Sequence, residues 1–365
     1  MANINSMLKI DGSTGEGGGQ IIRSALTLSM LTGIPIEVSN IRAGRAKPGL
    51  MRQHLMCVEA SQQISDASVS GAHLGSTAFS FSPNSIQSGD HLFDIGSAGS
   101  TSLVLQTLLP ALLFANSDIS KTSTITITGG THNPLAPTSD FLQQAFVPAL
   151  ARLGMQVDIE CLQAGFAPIG GGVIKATITP FMRRAGTLPF KLIERGELVS
   201  VCLVASILNL DYDICMRELN SSKSALIESG IQEPLITTRS IKLDGIGEGN
   251  TCYALVTHKI THKTDEQTHQ EVFTLLGEKR ASAEKMGNRL AGLVKRYSFK
   301  SDALVDEYLT DQLLLPLALA GGGEFTSRVI SQHTETQAWL IQQFLPVTIR
   351  FETIDEQKTI VRVTD

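Results

Sequence analysis

Met7-Leu8-Lys9-Ile10, then Gly12-Ser13-Thr14-Gly15-Glu16-Gly17-Gly18-Gly19-Gln20, then Ile21-Ile22-Arg23 reads as an apolar strand, a glycine loop and the start of an apolar helix that runs to Leu31. Five of the nine loop residues are glycine. Without a Cβ in the way, their backbone N–H groups can come close to a ligand. The positive end of the helix dipole favours an anion there, and a phosphate is the natural one. Glu16 is poor company for a phosphate unless a divalent cation, Mg²⁺ or Mn²⁺, lies between them. The loop is not a GxxxxGK[ST] motif, because no lysine follows the last glycine. Nor does it fit the GxGxxG pattern with an acid about twenty residues on that marks a dinucleotide fold. A plain strand–helix turn is the competing reading.

The same strand–loop–helix order recurs along the chain. Residues 7 to 82 read as strand Met7–Ile10, helix Gln20–Leu31, strand Pro35–Ile41, helix Leu50–Ile64 and strands Ala67–His73 and Thr77–Ser82. Residues 91 to 179 repeat it: strand His91–Ile95, helix Thr101–Ala115, strand Thr124–Thr128, helix Asp140–Leu153, strands Met155–Cys161 and Gly172–Thr179. The copies start about 85 residues apart, the size of a compact supersecondary unit. A third copy is recognisable only in its later parts: helix Asp311–Ala320, strand Glu324–Ile330, helix Thr334–Phe344 and strands Val347–Thr353 and Thr359–Val363. About 100 residues of different texture precede it, with β-like segments Ser200–Leu208, Cys252–Ile260 and Glu271–Leu276 and helical segments Lys223–Ser229 and Ser282–Tyr297. The polar stretch Thr261 to Gln270 reads as an exposed turn. The expected fold is α/β (α+β). Repeated βαβαββ units form a large domain (1–185 and 286–365), and a small α/β domain (186–285) is inserted into the third repeat.

Composition sets outer limits. The chain has 365 residues, 42% hydrophobic and 18% charged, as in a folded soluble protein. A net charge of −5 excludes an indiscriminate polyanion coat, so any nucleic-acid site must be a local patch. Cys57, Cys161, Cys202, Cys215 and Cys252 are scattered without a CxxC pair, as expected in a reducing compartment. The longest apolar run, Leu103 to Ala115, contains Gln106 and Pro110 and is too short to span a bilayer. The N-terminus lacks the layout of a signal peptide. A cytoplasmic protein without a membrane is expected.

Two further segments narrow the chemistry. Ile41-Arg42-Ala43-Gly44-Arg45-Ala46-Lys47-Pro48-Gly49-Leu50-Met51-Arg52-Gln53-His54 packs four cations and a histidine into one loop and the start of a helix. Arginine forks suit phosphate oxygens. A solvated basic loop is the bland alternative. The loops Gly96–Thr101 and Gly129–Thr138 lie at equivalent strand ends and could gather at one cleft, although helix capping alone would explain Ser100 and Thr101. His333 precedes Thr334-Glu335-Thr336-Gln337, a capping-box pattern, which would put it just outside a helix N-terminus. The dipole there disfavours imidazolium and leaves the ring neutral and nucleophilic. Of the eight histidines, only His54 shares so suggestive a setting.

These segments, with Ile95-Gly96-Ser97-Ala98-Gly99-Ser100, Gly129-Gly130-Thr131, Gly277-Glu278-Lys279-Arg280 and Leu319-Ala320-Gly321-Gly322-Gly323-Glu324-Phe325-Thr326, resemble the RNA 3′-terminal phosphate cyclase family over essentially the whole chain. The resemblance implies an ATP-dependent enzyme acting on RNA 3′-phosphate ends, with ATP and a divalent cation (Mg or Mn) bound. A histidine takes AMP covalently, AMP passes to the RNA 3′-phosphate, and the 2′-OH closes a 2′,3′-cyclic phosphate. It assigns the nucleophile to His333, the metal contact to Glu16, phosphate and RNA-end contacts to Arg23, Arg42, Arg45, Gln53 and His54, and adenosine contacts to Pro137, Tyr308, Asp311 and Gln312. It also implies the repeated βαβαββ fold with a small inserted domain. Where family members often carry asparagine after the histidine, this chain has Gln337. Non-catalytic ribosome-assembly relatives of the fold are the alternative, against which the presence of His333, Glu16 and the basic loop weighs. Enolpyruvyl transferases share the architecture and need no nucleophilic histidine. The state of assembly, including a homo-oligomer, stays open.

Overall fold

The computed structural model describes residues 7–115, 121–182, 190–261 and 267–364. The first unit runs β1 (Leu8–Asp11), α1 (Gln20–Thr32), β2 (Ile36–Ser39), α2 (Arg52–Ser65), β3 (Ser68–Ser70), β4 (Phe79–Ser82), and its strands bond in the order β1-β2-β4-β3. β1 and β2 are parallel and the remaining pairs antiparallel. α1 ends at Gly33, which takes the left-handed conformation (φ 71°) and returns its N–H to the Ser29 carbonyl.

The second unit is β5 (Asp90–Asp94), α3 (Thr101–Phe114), β6 (Ser123–Gly129), a helical stretch, β7 (Gln156–Gln163) and β8 (Gly172–Thr179), with the same order β5-β6-β8-β7. The expected single helix Asp140–Leu153 is instead three pieces: α4 (Ser139–Phe141), a π-helical turn (Leu142–Phe146) and α5 (Val147–Arg152). The widened turn shifts the backbone register, and the Gln144 carbonyl accepts from Gln270 Nε2 at 2.8 Å.

The third unit is complete, not truncated. Its first strand, β9 (Phe190–Leu192), is only three residues long, too short to show a period. The inserted segment follows: β10 (Arg195–Leu208), α6 (Asp213–Glu228), β11 (Ile236–Lys242), β12 (Gly249–Ile260), β13 (Thr268–Leu276) and α7 (Ala283–Lys300). Then come α8 (Glu307–Ala320), β14 (Gly323–Ser327), α9 (Gln332–Phe344), β15 (Thr348–Asp355) and β16 (Lys358–Thr364). The sheet order β15-β16-β14-β9 repeats that of the first two units, so the insertion falls between a first strand and a first helix.

The insert has its own core, from Val201 to Tyr297 and including Met286, Leu290 and Val294 of α7. This core extends past the expected limit at 285, while β9, expected inside the insert, pairs with β14. The expected junction at 185/186 and residues 262–266 of the expected turn Thr261–Gln270 lie outside the described residues, as do residues 1–6, where a signal peptide would begin. Thr268–Gln270 of that turn belongs to β13.

Packing of the repeats is what builds the site. α3 is buried on nearly every side, as a predominantly apolar helix must be. α1 packs against α2, α3 and α9, and α8 against α9. Gln106-x-x-x-Pro110 of α3 recurs as Gln312-x-x-x-Pro316 in α8, and the two glutamine amides hydrogen-bond to each other. No helix among the described residues is long and apolar enough to cross a membrane.

Candidate active site

The glycine loop after β1 is docked on the first turn of α9. The Glu16 N–H donates to Thr336 Oγ1 at 3.3 Å, and that hydroxyl donates to the Gln332 carbonyl at 2.7 Å. Gly15 has φ 60°, and a Cβ there would overlap the Thr336 hydroxyl, so this approach requires glycine. At the neighbouring residue of α9, Ser24 Oγ of α1 donates to Gln337 Oε1 at 2.6 Å.

α9 begins earlier than the capping-box pattern suggests. Ser331 is the N-cap and accepts from the Thr334 N–H at 3.2 Å, so His333 lies inside the first turn instead of just outside the helix. Ser331 and Thr334 are both competent caps; the earlier one wins because the Ser331 backbone is extended (φ −84°, ψ 164°), as an N-cap needs. His333 remains at the positive end of the helix. Its side chain is half exposed, 51%.

His333 Nδ1 is 3.0 Å from Gln20 Oε1, and Gln20 Nε2 donates to Asp311 Oδ1 at 2.6 Å. Nδ1 also lies 3.9 Å from Glu16 Oε2. Glu16 forms an ion pair with Arg45, which also donates to the Glu16 carbonyl at 3.5 Å. Among the described residues His333 Nε2 has no hydrogen-bond partner. Burial raises the pKa of Asp311, opposed by the charge of His333, the Gln20 hydrogen bond and the charge of Arg23.

His54 stands behind the loop. Its Nδ1 accepts from the Met51 N–H at 3.1 Å, and burial, with Arg23 and Arg42 nearby, lowers its pKa to about 3. The ring is therefore neutral, with its proton on Nε2. That nitrogen lies against Gly19, where a Cβ would overlap it. Desolvation likewise lowers the pKa of Arg23. Gln53 Oε1 accepts from the Ser100 N–H at 3.1 Å and so ties the first unit to the α3 N-terminus. Arg42, expected on a phosphate, points a nitrogen at its own loop: Nη1 donates to the Lys47 and Gly49 carbonyls at 2.6 and 3.0 Å.

The second-unit loops do gather. Asn133 Nδ2 donates to the Ala98 carbonyl at 2.6 Å, and Ser102 Oγ donates to the Pro137 carbonyl at 2.6 Å. Asp311 and Gln312 reach the same helices through Gln20 and Gln106. Tyr308, one turn ahead of them, is 70% exposed. A small cavity of about 50 Å³ lies between α1, α3 and α8, lined by Gln20, Arg23, Gln106, Asp311 and Gln312 among others. Gln20 and Gln106 carried no assigned role in the sequence. The paired Gln-x-x-x-Pro spacing was the available signal for Gln106, and the position of Gln20 at the loop–helix junction was the signal for Gln20.

A divalent cation is implied by the resemblance. Among the described residues no group of three His, Cys, Asp or Glu side chains could hold a metal. Glu16 offers a single carboxylate at the loop. This fits a Mg²⁺-type ion, which is commonly held by one or two carboxylates together with substrate phosphates.

The family model for RNA 3′-terminal phosphate cyclase matches residues 14–351. A Ralstonia nicotianae protein named RNA 3′-terminal phosphate cyclase is 44% identical over 356 residues, 98% of this chain and 96% of that protein. An Ectopseudomonas mendocina protein of the same name is 43% identical over 343 residues, 94% of each chain.

Proposed function

The chain belongs to the RNA 3′-terminal phosphate cyclase family, and from that premise we propose that it uses ATP to convert an RNA 3′-phosphate end into a 2′,3′-cyclic phosphate. His333 is the nucleophile. Its Nε2 lone pair forms a bond to the α-phosphorus of ATP while the bond to the pyrophosphate oxygen breaks and pyrophosphate leaves. An RNA 3′-phosphate oxygen then attacks the same phosphorus, and histidine is released. The neighbouring 2′-OH finally attacks the activated 3′-phosphorus, expelling AMP and closing the ring. Holding that hydroxyl beside an activated phosphorus is a large proximity effect, and it restricts cyclisation to RNA.

The observation that supports this most is the setting of His333: one ring nitrogen engaged by Gln20, the other unpartnered, at a helix N-terminus facing the glycine loop. Arg23 and Arg45 would neutralise charge on the transferred phosphorus, and neutral His54 would donate from Nε2. Glu16 would hold the cation, whose chemistry is to screen the triphosphate; Arg45 must then release that carboxylate. Gln53 would fix the second-unit loop for the RNA end. Pro137, Tyr308, Asp311 and Gln312 would surround the nucleoside. The five cysteines are free thiols, which suits the cytoplasm.

With α-labelled ATP and Mg²⁺ or Mn²⁺, the protein is expected to acquire an acid-labile labelled adduct, and His333→Ala none. A wild-type protein that cyclises RNA without any adduct would remove histidine from the mechanism.

A further inference from the structure

We propose that Gln20 and Asp311 act as a positioning relay that holds His333 in one tautomer, with the proton on Nδ1 and the lone pair on Nε2. The proposal rests on His333 being the nucleophile, and it gives Asp311 a role besides the nucleoside contact that the family resemblance implies.

The argument follows the hydrogen-bond polarity. Burial raises the pKa of Asp311, and the charges of His333 and Arg23 with the hydrogen bonds from Gln20 and Gln312 oppose that rise. The relay takes the carboxyl as ionised, and an ionised carboxylate can only accept, so Asp311 Oδ1 requires an N–H from Gln20. Gln20 Nε2 meets it at 2.6 Å. That contact fixes the amide the one way round, and its carbonyl oxygen must face His333. The oxygen can only accept, so the nitrogen 3.0 Å away, Nδ1, must carry the proton. Neutral imidazole has one N–H, so Nε2 is left with its lone pair. Gln20 has little freedom to turn, being 6% exposed at the first position of α1. It does not serve as the helix cap, a position held by Gly19 without a side-chain bond. Both ends of its amide are committed to the line from Asp311 to His333.

The relay serves both directions of the chemistry. When Nε2 forms its bond to the α-phosphorus and the electron pair of the broken bond leaves with pyrophosphate, no proton moves. The ring becomes cationic with Nδ1–H retained, and the Gln20 carbonyl and Asp311 carboxylate face that charge. When the RNA 3′-phosphate oxygen displaces the ring, the imidazole departs neutral and needs no acid. The opposite tautomer would place a proton on the attacking atom and stop the first step.

The test combines ¹⁵N NMR of histidine-labelled, ligand-free protein with single-turnover adenylation. His333 signals are identified by their absence in His333→Ala. Wild type is expected to show a protonated Nδ1 and an unprotonated Nε2. In Gln20→Met the Nδ1–H preference is lost, and adduct formation at saturating ATP slows at least about tenfold, as a misplaced tautomer should. The apparent affinity for ATP changes by less than about threefold, which separates positioning from binding. Gln20→Glu restores most of the rate, because a carboxyl sharing a proton with Asp311 still accepts from Nδ1–H. Asp311→Asn, whose amide can present either its oxygen or its NH2 to Gln20, shows a weakened Nδ1–H preference and a partial loss of rate at saturating ATP; a pure nucleoside contact would raise KM and leave tautomer and rate unchanged. A wild-type Nε2–H tautomer, or an unaltered tautomer and rate in Gln20→Met, overturns the relay. A wild type with the Nδ1–H tautomer but no adduct retires the nucleophile and leaves the relay standing.

Discussion

His54 shows how burial changes what a residue can do. The sequence places it at the end of a segment with four cations, where a fifth charge would be natural. Burial and the neighbouring Arg23 and Arg42 bring its pKa from 6.5 to about 3, so the ring is neutral at any physiological pH. The sign follows from linkage. Between pH 6.5 and about 3 the unfolded chain binds a proton at this site and the folded chain does not, so stability is present in full above 6.5 and is lost as pH falls. The limiting slope for one such group is about 1.4 kcal/mol per pH unit. His258 and His269, also lowered to about 3, act in the same direction, and Glu218, raised to about 7, acts in the opposite one. Comparison with His54→Gln isolates the site. The stability gap between wild type and variant, from urea unfolding, should narrow as pH drops from 6.5 to 5; a gap independent of pH would mean the ring titrates normally. Arg42 carries a related lesson. Residue type suggests a phosphate ligand; two carbonyls of its own loop hold Nη1, which orients the guanidinium, and only the loop's three-dimensional path reveals that.

At the scale of elements, α9 carries the nucleophile and its start decides where that nucleophile sits. Ser331 closes the helix by accepting from the Thr334 N–H. Ser331→Ala should cost about 1 kcal/mol of stability, the usual value of an N-cap. Because His333 lies two residues from the cap, adenylation should slow in the same variant, with the thermal midpoint and the adduct rate measured together. A full adduct rate beside the lowered midpoint would show that the helix start can fray without moving His333. The helix itself was legible in the sequence, but its first residue was not, since Ser331 and Thr334 offer equivalent side chains and only backbone torsion chooses between them. The other long periodic segments were legible for the same reason that makes them stable: an apolar face must be buried. What escaped was short or defined by a partner. β9 has three residues and exists because β14 lies beside it. The π-helical turn in Leu142–Phe146 has no sequence period, and its displaced carbonyl finds Gln270 more than a hundred residues away.

At the scale of the molecule, the insert is a layer of the main body as well as a body of its own. Along β10, Val201, Leu203, Ala205 and Ile207 join the insert's core, while Val204 joins the main core. β12 divides alike: Cys252, Ala254 and Val256 join the insert's core, while Tyr253 on the opposite face and Ile260 at the strand's end join the main core. A sheet apolar on both faces reads in sequence as an unbroken hydrophobic run, which is why the segments were recognisable while their second packing partner was not. Arg195 closes the junction: its guanidinium lies 4.6 Å over the Tyr297 ring and donates to the Tyr297 and Ala303 carbonyls. Shared burial should make the two cores unfold together. Tyr253 tests this, being 5% exposed on the face that meets the main core, with a pKa raised by burial and by the nearby Asp140 carboxylate. Tyr253→Ala removes a large buried side chain and should cost about 3–5 kcal/mol. If the cores are coupled, calorimetry should give one transition for wild type and one, at lower temperature, for the variant. Two separated transitions in wild type would show instead that the insert melts alone, and that the face carrying Val204 and Tyr253 only rests on the body that holds His333.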